Sequence, residues 1–214
     1  MSIDAIVFDF GGVYTNSPFE ALRQVGEERG HAFDEAMDVV FGPYDRDTDH
    51  PWHRAERGEL ELEAARVAIA ELGQARGVEV DLYDVLGAMS GGGDAGLREP
   101  MIERTRRLKQ AGFVVGLVTN NLAEFRDLWR PLLPLDELFD AVVDSSEVGV
   151  RKPDPRIFEL MLELIGAAPE ATVFLDDFQG NVDAAERLGM RGVLVEADPA
   201  SAYVALDELL ATRA

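Results

Sequence analysis

From residue 97 onward, short apolar runs alternate with helical stretches, and most runs close on polar residues. Residues 113–119 end in Val118-Thr119-Asn120-Asn121, residues 141–144 form a second run, residues 172–175 end on Asp176-Asp177, and residues 192–195 form the last. An earlier run, Ile6-Val7-Phe8, closes on Asp9 and is stopped by Gly11 and Gly12. Continuous apolar strands separated by helices read as a parallel sheet covered on both faces. The alternation therefore predicts an α/β fold with a doubly wound parallel sheet. Such sheets bind ligands beyond the carboxyl ends of their strands, so polar residues there are candidates for chemistry.

Residues 15–91 break the alternation, carrying helical signals and almost no strand signals. Ser17-Pro18 opens a helix with a cap residue and a proline at the first position. A second helical segment covers residues 34–41. A polar loop is expected over residues 44–52. Beyond Gly58, the residues Leu60, Ala64, Val67, Ala68 and Leu72 fall on one helical face. Another helix is expected over residues 81–89, and Ser90-Gly91-Gly92-Gly93 reads as a hinge. The expected organisation is a core of residues 1–14 and 92–214 with an all-helical cap of residues 15–91. In the core, helices are expected over residues 98–111, 122–131, 154–165 and 177–188.

The chain has 214 residues, 47% of them hydrophobic and 29% charged, which suits one core with a small insert. Its formal charge of −21 argues against nucleic acid or an anionic membrane as a partner. No apolar run is long enough to span a bilayer, and no basic segment precedes the first one as in a signal peptide. There is no cysteine, so disulfides and thiolate chemistry are excluded. A cytoplasmic monomer or homodimer is expected.

The polar strand ends suit phosphoryl transfer. A carboxylate such as Asp9 can attack phosphorus and form an aspartyl-phosphate. Carboxylates and backbone carbonyls suit Mg²⁺, which offsets the repulsion between an anionic nucleophile and a phosphate. A hydroxyl, backbone amides and an ammonium can hold the phosphoryl oxygens. Residues Val150-Arg151-Lys152-Pro153 supply the ammonium. Taken singly, these features have plainer readings. Asp9 could cap a turn, Asp176-Asp177 could cap the next helix, Thr119-Asn120-Asn121 could start one, and Lys152 could be solvated. Arg151 reads as solvated or facing the cap, and Asp154-Pro155 as a helix start.

Taken together, and in this order, the motifs resemble those of the haloacid dehalogenase superfamily, in the group with a small helical cap after the first motif. The resemblance covers the whole chain and implies a role at each matching position. Asp9 matches the nucleophile, which is also a metal ligand. Gly11 matches the position whose carbonyl reaches the metal. Thr119 and Asn120 match the phosphate-holding motif, and Lys152 matches the lysine that stabilises nucleophile and phosphate. Asp176 and Asp177 match the acidic pair, Asp177 as the direct ligand and Asp176 one layer out. The resemblance implies a Mg²⁺-dependent hydrolase acting on a small phosphorylated metabolite.

One position departs from the pattern. Most phosphatases of the superfamily carry a second aspartate two residues after the nucleophile, as general acid and base. Here that residue is Gly11. The variant resembles a branch close to the phosphatase domain attached to some epoxide hydrolases. His53, Tyr14 or the substrate itself would then have to supply the proton. A binding module without turnover, and a dehalogenase, are the rival readings; the acidic pair argues against the second. His50-Pro51-Trp52-His53 has a spacing that invites a metal, but Pro51 interrupts the turn. The better expectation is that Trp52 or His53 faces the active site, with Trp52 as plain cap core beside it.

Overall fold

The structure, a computed structural model, describes residues 2–89 and 96–211. Along the chain run β1 (Ala5–Phe8), α1 (Pro18–Glu28), α2 (Phe33–Val40), α3 (Pro51–Glu56), α4 (Leu62–Arg76), α5 (Leu82–Met89) and α6 (Glu99–Gln110). Then follow β2 (Val114–Thr119), α7 (Arg126–Trp129), α8 (Leu135–Leu138), β3 (Ala141–Asp144), α9 (Ser145–Val148), α10 (Pro155–Ile165), β4 (Thr172–Asp176), α11 (Gln179–Arg187), β5 (Arg191–Leu194) and α12 (Ala200–Ala211). The expected hinge at Ser90-Gly91-Gly92-Gly93 lies outside the described residues.

The five strands form one parallel sheet in the order β3-β2-β1-β4-β5. Strand side chains alternate between two faces. Ile6, Phe8, Leu117 and Leu175 pack with Met101, Ile102 and Leu206 on one side, the side of α6 and α12. Val7, Val118 and Phe174 pack with Ile157, Phe158 and Ala184 on the other, the side of α10 and α11. Central β1 is buried on both faces, which is why it reads as an unbroken apolar run.

Helices α1–α5 bury a cluster of their own, including Leu22, Val40, Phe41, Trp52 and Ile69. Two expectations about this segment are corrected. Pro51 does not interrupt a helix but begins α3, with His50 as N-cap accepting from the Trp52 amide at 3.2 Å. Proline fits the first helical position because the amide it lacks has no intrahelical partner there. In α4 the buried face is Ala65, Ile69 and Gly73, while Val67 is half exposed. The helix carries small apolar residues all round, so composition alone leaves its inner face underdetermined. Two further differences lie in the core. Residues 122–131 form a 3₁₀ turn, the single turn α7 and the start of a second 3₁₀ turn, not one helix, and α12 extends the chain beyond the last expected element.

Candidate active site

Strand order brings the ends of β1, β2 and β4 side by side. Asp9 donates its amide to the Leu175 carbonyl at 2.8 Å, so pairing with β4 persists to the carboxylate itself. Asp9 Oδ1 accepts from the Phe10 amide at 2.6 Å and pairs with Lys152 Nζ at 2.7 Å. The same Nζ donates to Asp176 Oδ2 at 2.7 Å. Asp176 also accepts from the Phe178 amide at 2.8 Å and from Asn181 Nδ2, which lies 3.1 Å from each carboxylate oxygen. It is fully buried and tightly held. Asp177 is less enclosed and takes a hydrogen bond from Ser17 Oγ at 2.5 Å. Ser17 is also the N-cap of α1, so one hydroxyl ties the five-helix segment to the acidic pair.

One oxygen from each of Asp9, Asp176 and Asp177 lies within 4.8 Å of the others. Burial pushes the Asp9 carboxyl up to about 7, with Lys152 pulling against the rise and Asp176 adding to it. Burial, then repulsion from Asp176 and Asp9, holds Asp177 well above the ordinary carboxylate range. Burial works against the Lys152 ammonium, but attraction to Asp176 and Asp9 outweighs it and raises its pKa. Three carboxyls thus share one ammonium. The set is short of positive charge, and its donors are hard oxygens, so a divalent cation such as Mg²⁺ fits it.

The turn after β1 needs its second glycine. Gly12 has φ +68°, and a Cβ there would overlap the Asp177 carboxylate. Arg98 braces this turn, donating Nη1 to the Gly12 carbonyl at 2.6 Å and its amide to the Tyr14 carbonyl at 2.8 Å. At Gly11 the nearest atom to a Cβ would be Pro18 Cδ at 3.7 Å, an ordinary contact. Thr119 is buried at the end of β2. Asn120 spans the Lys152 backbone: its Oδ1 accepts from the Lys152 amide at 2.8 Å, and its Nδ2 donates to the carbonyl at 3.0 Å. Its side chain therefore positions the lysine, a role its place in the motif does not reveal.

A second polar cluster joins this edge to α3. Arg151 is fully buried, and its Nε donates to Glu56 Oε2 at 2.6 Å. Glu56 Oε1 accepts from the Tyr44 hydroxyl at 2.7 Å, and the guanidinium lies 4.6 Å from the centre of the Tyr44 ring. Of the two readings of Arg151, the solvated one is overturned and the cap-facing one stands: the guanidinium meets a carboxylate and an aromatic face from the helical segment. Ser145 Oγ reaches the Glu56 carbonyl at 2.5 Å. A Cβ at Gly58 would sit 2.6 Å from the Ser146 carbonyl oxygen, so chain and α9 meet backbone to backbone.

A cavity of about 700 Å³ opens between the five-helix segment and the strand ends, lined by Gly11, Thr119 and Asn120 on one side and by Tyr44, Trp52 and Glu56 on the other. Of the two neighbours expected to face the site, Trp52 lines this cavity. His53 is fully buried beside it, with Nδ1 2.9 Å from Thr48 Oγ1. Successive residues on a helix point about 100° apart, which separates them. Tyr14 is buried on the α6 side of the sheet with its hydroxyl 2.7 Å from Thr105 Oγ1, so it is no proton source for the site. The carboxylate anchor at Ser17 and the Glu56–Arg151 pair were not foreseen; their partners are far apart in sequence and no local pattern links them.

Residues 3–189 match the haloacid dehalogenase-like hydrolase family. The chain is similar to Phosphatase MT3486 of Mycobacterium tuberculosis, 31% identical over 199 residues, covering 92% of this chain and 88% of that one. It is also similar to Bifunctional epoxide hydrolase 2 of Rattus norvegicus, 36% identical over 121 residues, 55% of this chain and 22% of the rat protein, so it spans about a fifth of that relative's length. In fold it is similar to a haloacid dehalogenase family enzyme of Bacteroides thetaiotaomicron, solved in complex with magnesium and inorganic phosphate. The TM-score is 0.63 at 20% identity, covering 95% of this chain and 99% of that one. Among the described residues, no helix is long and apolar enough to cross a membrane.

Proposed function

Because the chain belongs to the haloacid dehalogenase-like hydrolase family, we propose that it is a Mg²⁺-dependent phosphomonoesterase for a small phosphorylated metabolite. The observation that carries the reading is the joint placement of Asp9, Lys152, Asp176 and Asp177 at one sheet edge, beside Thr119. Asp9, Asp177 and the Gly11 carbonyl would hold the metal, with Asp176 behind them. When bound, Mg²⁺ neutralises the carboxylates and draws charge from the phosphoryl oxygens.

The chain's own residues supply the rest. Asp9 Oδ1 is taken by the Phe10 amide and by Lys152, which leaves Oδ2 to attack phosphorus. The new bond joins Oδ2 to phosphorus as the bond from phosphorus to the alcohol oxygen breaks. That oxygen takes up a proton and leaves as the alcohol. Water then adds to phosphorus and frees Asp9, so each ester consumes one water and yields alcohol and phosphate. Lys152 holds charge on the phosphoryl oxygens, and Asn120 fixes where Lys152 stands. Residues 15–91 act as the cap that encloses the substrate and excludes water.

Gly11 favours one second reading, a module that binds metal and phosphate but turns over weakly, because that position offers no proton donor. Hydrolysis of p-nitrophenyl phosphate with and without EDTA, for the wild type and Asp9→Asn, separates the two. Activity that EDTA and Asp9→Asn both abolish supports the enzyme. Binding of Mg²⁺ and phosphate without hydrolysis supports the module.

A further inference from the structure

The wall of the cavity is divided by chemistry. Its polar side chains on the sheet side, including Thr15, Asn16, Thr119 and Asn120, belong to the end of β2 and the segments that follow β1 and β2, where the phosphate would sit. The walls supplied by α3, α5 and α7 carry Trp52, Tyr83, Leu86, Met89, Leu128 and Trp129. Two of these stand at the mouth, Tyr83 at 44% and Leu128 at 67% exposure. The polar groups on the helical side are few: Glu56, already occupied by Arg151 and Tyr44, the Tyr83 hydroxyl, which donates to Glu63, and the Trp52 indole N–H, which is buried without a hydrogen-bond partner. Among the described lining residues there is no lysine, arginine or histidine.

Resting on the phosphatase reading, we infer that the substrate is the phosphate monoester of an apolar alcohol, aliphatic or aromatic, with no second anionic group. The phosphate is held at the strand ends, and the organic body lies along α3 and α5 and reaches the mouth at Leu128. A polyol would leave most of its hydroxyls facing Leu86, Met89 and Leu128 without partners, which costs affinity at each one. A distal carboxylate or phosphate would lose water and gain no cation. An alkyl or aryl body instead gains from every apolar contact. The volume of about 700 Å³ admits a body well beyond a two-carbon chain.

The chain contains two tryptophans, and both line this cavity, so intrinsic fluorescence reports its occupation directly. Gly87 lies on α5 one turn from Tyr83 and lines the cavity; a Cβ there meets nothing within 4 Å, so a larger side chain can enter the space from a regular helix.

The experiment has two arms. In the first, kcat/KM is measured for ethyl, butyl, hexyl and octyl phosphate, whose leaving groups have matched pKa values, and for 6-phosphooxyhexanoate and glycerol phosphate. The expected rise is about two- to fourfold per methylene until the chain reaches the mouth. The carboxylated ester and glycerol phosphate are expected to fall at least tenfold below hexyl phosphate. In the second arm, ethyl- and octylphosphonate, which cannot be hydrolysed, are titrated against tryptophan fluorescence. Octylphosphonate is expected to bind at least a hundredfold more tightly, and Gly87→Leu to cut that ratio at least tenfold. Equal affinities for the two phosphonates, or faster turnover of glycerol phosphate than of hexyl phosphate, overturns the apolar substrate. If no ester, p-nitrophenyl phosphate included, is hydrolysed, the phosphatase reading fails, and the phosphonate titration still decides whether the cavity takes an apolar body.

Discussion

Arg151 and Glu56 form an ion pair at 2.6 Å in which both side chains are withdrawn from water, one from the loop that carries Lys152 and the other from α3. Removing Glu56 leaves the buried guanidinium with only the more distant Asp47, whose Oδ1 lies 3.7 Å from Nη1, as a carboxylate partner. Glu56→Gln is expected to cost roughly 3–5 kcal/mol in urea denaturation, and the double variant Glu56→Leu with Arg151→Met is expected to recover most of that loss. An additive double variant would show that the two residues do not act as a pair.

Stability should fall as acid is added, and two histidines account for a defined part of it. Burial holds His50 down to about 4 and His53 down to about 2, so both stay neutral in the fold while the unfolded chain takes up protons near the usual 6.5. Their contribution is complete above pH 6.5 and is lost as pH drops below it. The slope is about 1.4 kcal/mol per pH unit for each histidine. His50→Asn keeps a side-chain acceptor for the cap of α3 and removes one titrating group. Between pH 6 and 5 its slope should be shallower than that of the wild type by about that amount. Equal slopes would mean that His50 is already protonated in the fold.

Turnover should depend steeply on the leaving group. A positioned general acid contributes about 10²–10⁴-fold, and Gly11 provides none. Log kcat/KM plotted against leaving-group pKa, for esters with matched bodies, should fall steeply toward alkyl esters. Gly11→Asp should flatten the line, since a Cβ at that position meets only the Pro18 ring, at 3.7 Å from Cδ and 3.9 Å from Cγ. A flat line in the wild type would mean that another group already donates the proton.

Gly12→Ala should act differently from its neighbour. The added methyl falls on the Asp177 carboxylate, and the backbone already sits at φ +68°. Titration of Mn²⁺ into the protein should show affinity reduced at least tenfold, with kcat/KM on p-nitrophenyl phosphate falling alongside. Unchanged Mn²⁺ affinity would remove Asp177 from the metal site.

Trp52→Ala should alter the ranking of substrates more than it alters activity on p-nitrophenyl phosphate, because Trp52 lines the wall from α3 and packs in the cluster of α1–α5. Relative kcat/KM across phosphate esters reads this out. A uniform loss on every ester would instead indicate a weakened fold around Phe41, whose ring centre lies 4.9 Å from that of Trp52.

The parallel core was legible because its central strands are buried on both faces and so carry unbroken apolar runs, as β1 and β4 do. The carboxylates were legible because each stands at, or just beyond, the end of such a run, and Lys152, which lies past β3 and α9, was legible from the residues Val150-Arg151-Lys152-Pro153 around it. What escaped was whatever depends on a distant partner. Ser17 reads as a helix cap and is one, but its second role appears only when the fold brings Asp177 to it. Arg151 and Lys152 are adjacent and similar in charge, yet one faces Glu56 and the other Asp9 and Asp176. The last helix, α12, was missed because it has little amphipathic contrast to mark it.

The central place of β1 has a consequence for biosynthesis. Ala5 pairs with Val114 and with Thr172, so the most apolar strand of the sheet leaves the ribosome long before either neighbour exists. Helices α1–α5 come next and can collapse on their own cluster while β1 waits. A topology of such long-range pairings is slow to close and leaves a strand edge open to other chains in the meantime. The segment whose pairing must wait longest for its partners is therefore the same one that carries Asp9.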